Sequence, residues 1–325
     1  MKRIVNSVIS FISIMLCFII LGCGNQQKDE ISNDINMNKE IRLGIVPLPH
    51  YADIWIAYKK GFLEEELQKR GYELKWKTIP LGPIVSEAFA ANEIDLGVMG
   101  DFPAFIGRGN GIDYKIIGIA STAPKALALV VKKESDINNI SDLKGKKIAT
   151  TKAAYGQKLL TLLINNAGMQ MDDIDFISMS MEDLSPALLN GDIDAGVIWD
   201  PLLTKLYTAG DIKIIADGTD VYDAYSVLIS KNNIIDDDFE AVQALIEAKR
   251  RGIEYMKTHP DESESLLLDE FKLPKNELDI MLKKFNYTPD ITEKFIQDMK
   301  ETEKFMNENK LLRNRVDINE FIVKD

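Results

Sequence analysis

Few residues in this chain are equipped for covalent or metal chemistry. The only histidines are His50 and His259, and the only cysteines, Cys17 and Cys23, lie near the N-terminus. That inventory builds no disulfide framework, zinc knuckle or Cys/His dyad, so no catalytic residue, no metal and no cofactor is expected. Two glycine-rich stretches fall short of phosphate loops. Gly107-Arg108-Gly109-Asn110-Gly111 lacks the G-x-G-x-x-G spacing and follows no clear strand, so it reads as a loop, and Gly145-Lys146-Lys147 lacks the upstream glycine. With 39 Lys and Arg against 51 Asp and Glu, the net charge is -12, which repels phosphate backbones and argues against a nucleic-acid partner. What remains is non-covalent chemistry: side chains able to hold a small molecule rather than transform it.

The N-terminus reads as an address. Lys2 and Arg3 precede a 14-residue apolar run, Val8 to Leu21, broken only by Ser10 and Ser13. This is the pattern of an export signal and is short for a bilayer span, which needs roughly 20 residues. Its end, Ile20-Leu21-Gly22-Cys23, resembles the bacterial lipobox, so residues 1–22 are expected to be a lipoprotein signal peptide and Cys23 the lipidated residue. Two or more acyl chains hold a protein stably at a membrane, where one does not. Residues 23–40 are polar, lack an apolar period, and read as a flexible tether. Removal of residues 1–22 takes away two positive charges, leaving 37 against 51, a net of -14.

From Ile41 the pattern changes. Short apolar runs alternate with longer amphipathic ones: Ile41–Val46 then Asp53–Arg70, Leu74–Ile79 then Val85–Asn92, and Ile94–Met99. The rhythm restarts at Lys147–Thr150, Tyr155–Ala167, Asp175–Met179, Asp183–Asn190 and Ala195–Ile198, and beyond Asp236 the chain is helical in pattern. Strands alternating with helices imply βαβ units and mainly parallel sheets. Ile94-Asp95-Leu96-Gly97-Val98-Met99-Gly100-Asp101 recurs 99 residues later as Ile193-Asp194-Ala195-Gly196-Val197-Ile198-Trp199-Asp200, with five identities in eight. A proline follows each copy, Pro103 and Pro201. Two equivalent half-folds are the better reading of this echo, and each presents an Asp just past a strand's C-terminal end, where ligands gather in open α/β sheets.

The order and spacing of several short motifs resemble the nitrate/sulfonate/taurine family of substrate-binding proteins of bacterial ABC importers. The carriers are Ile41-Arg42-Leu43-Gly44-Ile45, Lys60-Gly61-Phe62, Ile94-Asp95-Leu96-Gly97-Val98 with Gly100-Asp101-Phe102-Pro103, Ala126-Leu127-Ala128-Leu129-Val130-Val131, Leu143-Lys144-Gly145-Lys146-Lys147-Ile148 and Trp199-Asp200-Pro201. The resemblance implies a two-lobed α/β type II periplasmic-binding fold: two mainly parallel sheets joined by two crossover strands, followed by C-terminal helices. Ala126–Val131 would be the first crossover and Tyr225–Ser230 the return. Lobe 1 would comprise 41–125 and 231–325, and lobe 2 residues 126–230. Members often carry a Ser-Thr-Ala-x-His loop where this chain has Thr150-Thr151-Lys152-Ala153-Ala154-Tyr155, and Ser-Gly-Pro where it has Leu81-Gly82-Pro83.

Candidate ligand-binding residues follow from position at strand ends. Thr151 and Lys152 precede the helix starting at Tyr155, where free N–H groups and a lysine suit an anion; the bland alternative for Lys152 is an exposed loop residue. Gly100, Asp101 and Phe102 form the matching edge of the first half. Asp101 and Asp200 read either as helix N-caps or as acceptors for a ligand amine. Trp199 either walls the ligand or lies in the core, and Tyr155 is a further ligand-binding candidate that would stack with Trp199 on a ring ligand. His50, Tyr51 and Asp53 follow the first strand, with His50 a ligand donor or a cap. Gly82, Pro83 and Thr122 are included by loop position, while His259 reads as structural. The expected function is an extracytoplasmic, membrane-anchored, monomeric receptor that passes an aliphatic sulfonate or taurine-like anion to a membrane permease. The alternatives are a receptor for a pyrimidine or thiamine precursor, or a cofactor-biosynthesis enzyme on the same fold.

Overall fold

The computed structural model describes residues 39–80 and 82–323; the expected signal peptide, Cys23 and most of the expected tether lie outside them. The first half runs β1 (Lys39–Ile45), α1 (Ala52–Lys59), α2 (Phe62–Gln68), β2 (Tyr72–Thr78), α3 (Gly82–Ala90), β3 (Leu96–Gly100), α4 (Asp101–Gly109) and β4 (Tyr114–Thr122). The second runs β5 (Leu127–Lys132), β6 (Lys147–Thr150), α5 (Tyr155–Asn166), β7 (Asp175–Ser178), α6 (Met181–Asn190), β8 (Ala195–Trp199), α7 (Leu202–Ala209) and β9 (Ile212–Asp217). The return strand β10 (Tyr225–Lys231) leads to α8 (Asn232–Asp237), α9 (Phe239–Thr258), α10 (Pro260–Phe271), α11 (Lys275–Leu282), α12 (Glu293–Glu308) and α13 (Ile318–Phe321).

The strands form two five-stranded sheets of the same plan, β2-β1-β3-β10-β4 and β7-β6-β8-β5-β9. In each sheet the three leading strands are parallel, and the fourth, antiparallel to both its neighbours, is a crossover strand: β10 in the first sheet and β5 in the second. Both crossovers expected from the sequence are therefore present, each built into the sheet it enters.

The sequence echo has a local physical cause. Asp95 Oδ2 accepts the Arg42 N–H at 3.0 Å while Asp95 N–H donates to Arg42 O at 2.7 Å. Asp194 repeats this with Lys147 at 2.8 and 2.9 Å. Each Asp thus sets neighbouring parallel strands in register, β1 against β3 and β6 against β8. The glycine two residues on lets a helix approach: a Cβ on Gly97 would sit 2.8 Å from the Phe89 ring, and one on Gly196 2.8 Å from Leu184 Cδ2. α3 and α6 pack closely on β3 and β8 at these glycines.

Three sequence expectations need correction. The helix expected over Asp53–Arg70 is two helices, broken at Gly61 with φ 73°, a left-handed value that glycine adopts cheaply. The glycine-rich stretch expected as a loop is, from Gly107 to Gly109, the last turn of α4. Gly107 is needed there because the Tyr114 hydroxyl, which donates to Ala104 O at 2.9 Å, occupies the space a Cβ would fill. Neither Asp101 nor Asp200 is an N-cap: Gly100 holds the cap position of α4, with Asp101 its first helical residue, and Pro201 holds that of α7, with Asp200 one residue before it.

The C-terminal helices fasten to the first sheet. α9 lies against α1, where Gly252 leaves room for the Asp53 carbonyl and the fully buried Lys249 pairs with the fully buried Asp53 carboxylate. Lys249 also donates to Ala120 O of β4 at 2.7 Å. Between α11 and α12, Asn286 exchanges backbone bonds with Thr122 (both 2.9 Å) and Pro289 O accepts Ile119 N–H, extending the first sheet past β4. The two crossovers touch through Gly218 N–H to Pro124 O and Ala123 N–H to Asp223 O, both 2.9 Å.

Candidate functional site

The strand ends of the two sheets meet at Tyr155. Its ring lies 4.8 Å from Trp199, inclined at 58°, within the second lobe. Across the interface, a Cβ on Gly100 would stand 3.7 Å from the same ring. Burial pushes the Tyr155 hydroxyl well above its ordinary pKa, with Tyr51 and the charges of Asp101 and Asp200 adding to the effect. Gly100 at the end of β3 and Trp199 at the end of β8 thus flank one phenol from the two sheets.

Each element places its residue simply. A single turn of 3-10 helix, Pro49–Tyr51, turns His50 and Tyr51 off the end of β1. Burial raises the Tyr51 phenol to about 12, against the pull of its hydrogen bond with Ser226. His50 packs on Phe285 with ring centres 4.6 Å apart, and its Nδ1 is buried without a hydrogen-bond partner. Burial holds the imidazole down to about 4, against the attraction of Asp200, so at neutral pH it is an uncharged group with a ring nitrogen uncommitted.

The helix starts differ in how far their N–H groups are already satisfied. In α4, Asp101 Oδ1 accepts Phe102 N–H at 2.8 Å; in α7, Asp200 Oδ1 accepts Thr204 N–H at 2.8 Å and its hydroxyl at 2.6 Å. The cap position of α5 is held by Ala154, which has no polar side chain to cap with. Ahead of it, Ala153 sits at φ 58°, a left-handed conformation held by its N–H donating to Gln157 Oε1 at 2.9 Å. The first turn of α5 therefore presents peptide N–H groups and the positive end of the helix dipole without an internal acid. Gly156 lets this turn come close: a Cβ there would overlap Thr150 Oγ1 and reach within 3.2 Å of the Trp199 ring.

Not every sequence candidate joins this group. The Asp53 carboxylate is taken up by Lys249 inside the first lobe. Phe102 is fully buried beneath α4 with Phe305 6.1 Å away. Thr151 donates to Met179 O at 2.9 Å, Lys152 is exposed, and Thr122 carries the backbone bridge to Asn286. Gly82 and Pro83 stand in the first turn of α3, with open space where a Gly82 Cβ would go. His259, expected to be structural, stacks on Tyr255 at 4.3 Å.

Sequence reasoning missed Tyr222, Lys158, Lys284, Ser226 and Phe285. Tyr222 donates to Asp101 Oδ2 at 2.9 Å from the segment just before β10. Lys284 donates to Asp200 Oδ2 at 2.8 Å. Burial pushes the Asp101 carboxyl up to about 6, opposed by the charge of Lys158 and the Tyr222 hydrogen bond. The one available signal was Lys158, a lysine on the apolar face of its helix, with Leu159, Leu160 and Leu163 around it. Among the described residues there is no cluster of metal-ligating side chains and no helix long and apolar enough to cross a membrane.

Known proteins share this architecture. The chain is 28% identical over 312 residues, 95% of its length and 92% of the relative's, to a Bacillus subtilis (strain 168) protein named for binding aliphatic sulfonates. The crystal structure of the periplasmic aliphatic sulphonate binding protein SsuA from Escherichia coli superimposes with a TM-score of 0.81 at 24% identity, covering 88% of this chain and 92% of that one. The alkanesulfonate-binding protein SsuA from Xanthomonas axonopodis pv. citri, bound to MOPS, gives 0.76 at 24% identity over 88% and 98%. These likenesses fix the fold as the α/β periplasmic-binding type. The family profile described as NMT1/THI5 like matches residues 49–263, two thirds of the chain and nearly all of both sheets, and the chain belongs to that family.

Proposed function

We propose that the protein is the extracytoplasmic solute-binding component of an ABC importer, taking an aliphatic sulfonate or a taurine-like anion between its lobes. The observation that carries this is the junction at Tyr155, where two sheets of one plan bring strand ends together around an uncapped helix start and an aromatic wall. An oxyanion is met there by peptide N–H groups and by the hydroxyls of Tyr51 and Tyr155, while Trp199 covers a carbon chain. The relatives named for sulfonates support the same ligand class. In this reading lobe 1 comprises 41–125 and the C-terminal part, lobe 2 begins at 126, and the return strand β10, which the sequence bounds left at the end of lobe 2 (126–230), belongs with the first sheet; the chain is a monomer tethered by lipid at Cys23 that hands its ligand to a permease unchanged.

The test is a thermal-shift series with ethanesulfonate, butanesulfonate, taurine, nitrate and an aminopyrimidine. A specific binder gains RT ln(1 + [L]/Kd), about 2.7 kcal/mol at a hundred times Kd. The reading expects the sulfonates to raise the melting temperature, Tyr155→Phe and Trp199→Ala to reduce the rise, and the ligand to be recovered intact. A rise with the pyrimidine alone moves the ligand to ring compounds, and a series with no rise overturns the reading.

A further inference from the structure

Asp101 and Asp200 occupy the same place in the two repeats, and each also receives a hydroxyl or cation from outside its own repeat. Asp200, on the second lobe, accepts from Lys284 at 2.8 Å, and the same ammonium donates to Thr204 Oγ1 at 2.7 Å. Lys284 is carried by the first lobe: two residues on, Asn286 is bonded into the edge of β4, and the Tyr287 hydroxyl donates to Pro49 O at 2.6 Å. The mirror arrangement starts from Lys158 of α5, on the second lobe. Its ammonium donates to Thr302 of α12 at 2.7 Å and lies 4.3 Å over the ring of Tyr222, whose hydroxyl donates to Asp101 of the first lobe. α12 is held to the first sheet by Phe295 against Tyr225 of β10, ring centres 5.0 Å apart.

We propose that these two lysines form a pair of cross-lobe clasps that hold the cleft closed, Lys284 received by Asp200 and Lys158 by Thr302, with Tyr222 bonding Asp101 beside the second clasp and the C-terminal segment 284–302 as the strap that brings them together. Both carboxylates are almost fully buried, and every oxygen of each already accepts a hydrogen bond within the protein. They are thus committed to closure and not to a ligand's amine. Opening the lobes strips Asp200 of its cation, Lys158 of Thr302 and Asp101 of the Tyr222 hydroxyl, and each loss leaves a charged group short of a hydrogen-bond partner. The closed state is thereby favoured before any ligand arrives, and ligand binding draws on a cleft already shaped. The proposal rests on the two-lobed receptor reading but not on the ligand's identity, and its main readout needs no ligand.

The experiment is hydrogen exchange by mass spectrometry on the full chain in detergent micelles, without ligand, comparing the wild type with Lys284→Met, Lys158→Met and Lys284→Arg. Lys284→Met is expected to lose about tenfold in protection (1.4 kcal/mol) in peptides from both cleft faces, Tyr155–Leu163 and Asp101–Ile106. β3 and β8 stay as protected as in the wild type, and the arginine variant recovers most of the loss. Unchanged protection on the far face in Lys284→Met overturns the proposal. Lys158 is more deeply buried, so if that variant loses protection in β3 or β8 it has unfolded, and Lys284 alone decides. With butanesulfonate as probe, Lys284→Met binds about tenfold more weakly; if the wild type does not bind the sulfonate, the functional reading fails while the exchange data still judge the clasps.

Discussion

Replacement of Lys249 by Met tests whether Asp53 belongs to the scaffold. Both side chains are fully buried, and the ammonium of α9 holds the Asp53 carboxylate of α1 and the Ala120 carbonyl of β4. Methionine keeps most of the stem's volume but leaves a carboxylate in a low-dielectric site with only the Ile54 N–H, at 2.9 Å, on its Oδ1. Breaking one side of a buried pair costs about 3–5 kcal/mol, whereas replacing both partners by apolar residues is often near neutral. Burial already raises the Asp53 pKa, against the attraction of Lys249, and without the lysine the carboxyl escapes the cost by binding a proton. The folded variant then holds a proton that the unfolded chain, with an Asp near 3.9, releases. Its stability therefore falls with rising pH, by up to about 1.4 kcal/mol per unit, between the unfolded pKa and the raised folded one. Urea unfolding from pH 5 to 8 is the assay. Lys249→Met should lose about 3–5 kcal/mol at pH 7 and less at pH 5, while Asp53→Leu with Lys249→Met should lie within about 2 kcal/mol of the wild type. A single-variant loss below about 1 kcal/mol with no added pH slope would refute the buried-pair reasoning.

Gly156→Ala should push the first turn of α5 off Thr150 and Trp199, cost about 1–3 kcal/mol as other overpacked sites do, and weaken sulfonate binding by calorimetry more than an alanine at exposed Gly145. Gly218→Ala places a Cβ 2.8 Å from the Pro124 carbonyl where the crossovers touch, so calorimetric melting should show a loss of similar size. Burial raises the Glu66 carboxyl, but hydrogen bonds from Lys69, Arg70 and Arg251 outweigh it and bring it down to about 2. That depressed value contributes up to about 3 kcal/mol above pH 4.5, lost as pH falls from there toward 2. Glu66→Gln should therefore be less stable at pH 7 and show a shallower acid transition in circular dichroism.

The sequence made the architecture legible because its causes are local. Asp95 and Asp194, with Gly97 and Gly196, perform the same two tasks in each half, strand registration and close helix approach, so the echo survives at the level of residue types. The places of Trp199 at a strand end and of Tyr155 at a helix start were legible for the same reason. What the sequence concealed depends on distance along the chain. Asp53 looked like a site residue because its partner Lys249 lies 196 positions away, and nothing local distinguishes an acid aimed at a cleft from one aimed at a distant helix. Lys284 lies in the stretch beyond Asp236 that the sequence shows only as helical in pattern, and only its seat beside β4 brings it to Asp200. Gly107 was taken for punctuation because the tyrosine that needs its missing Cβ belongs to the next strand.

The placement of the crossover strands fixes an order of assembly. β5 to β9 come from one unbroken stretch, 127–217, whereas β4 and its partner β10 are separated by the whole of that stretch. As the polypeptide is threaded out from its N-terminus, the second sheet has all its material as soon as residue 217 has emerged. The first sheet still lacks the strand that joins β3 to β4 and exposes two unpaired edges until residue 231 arrives. Any factor that shields nascent chains from sticking to one another has its longest task in that interval.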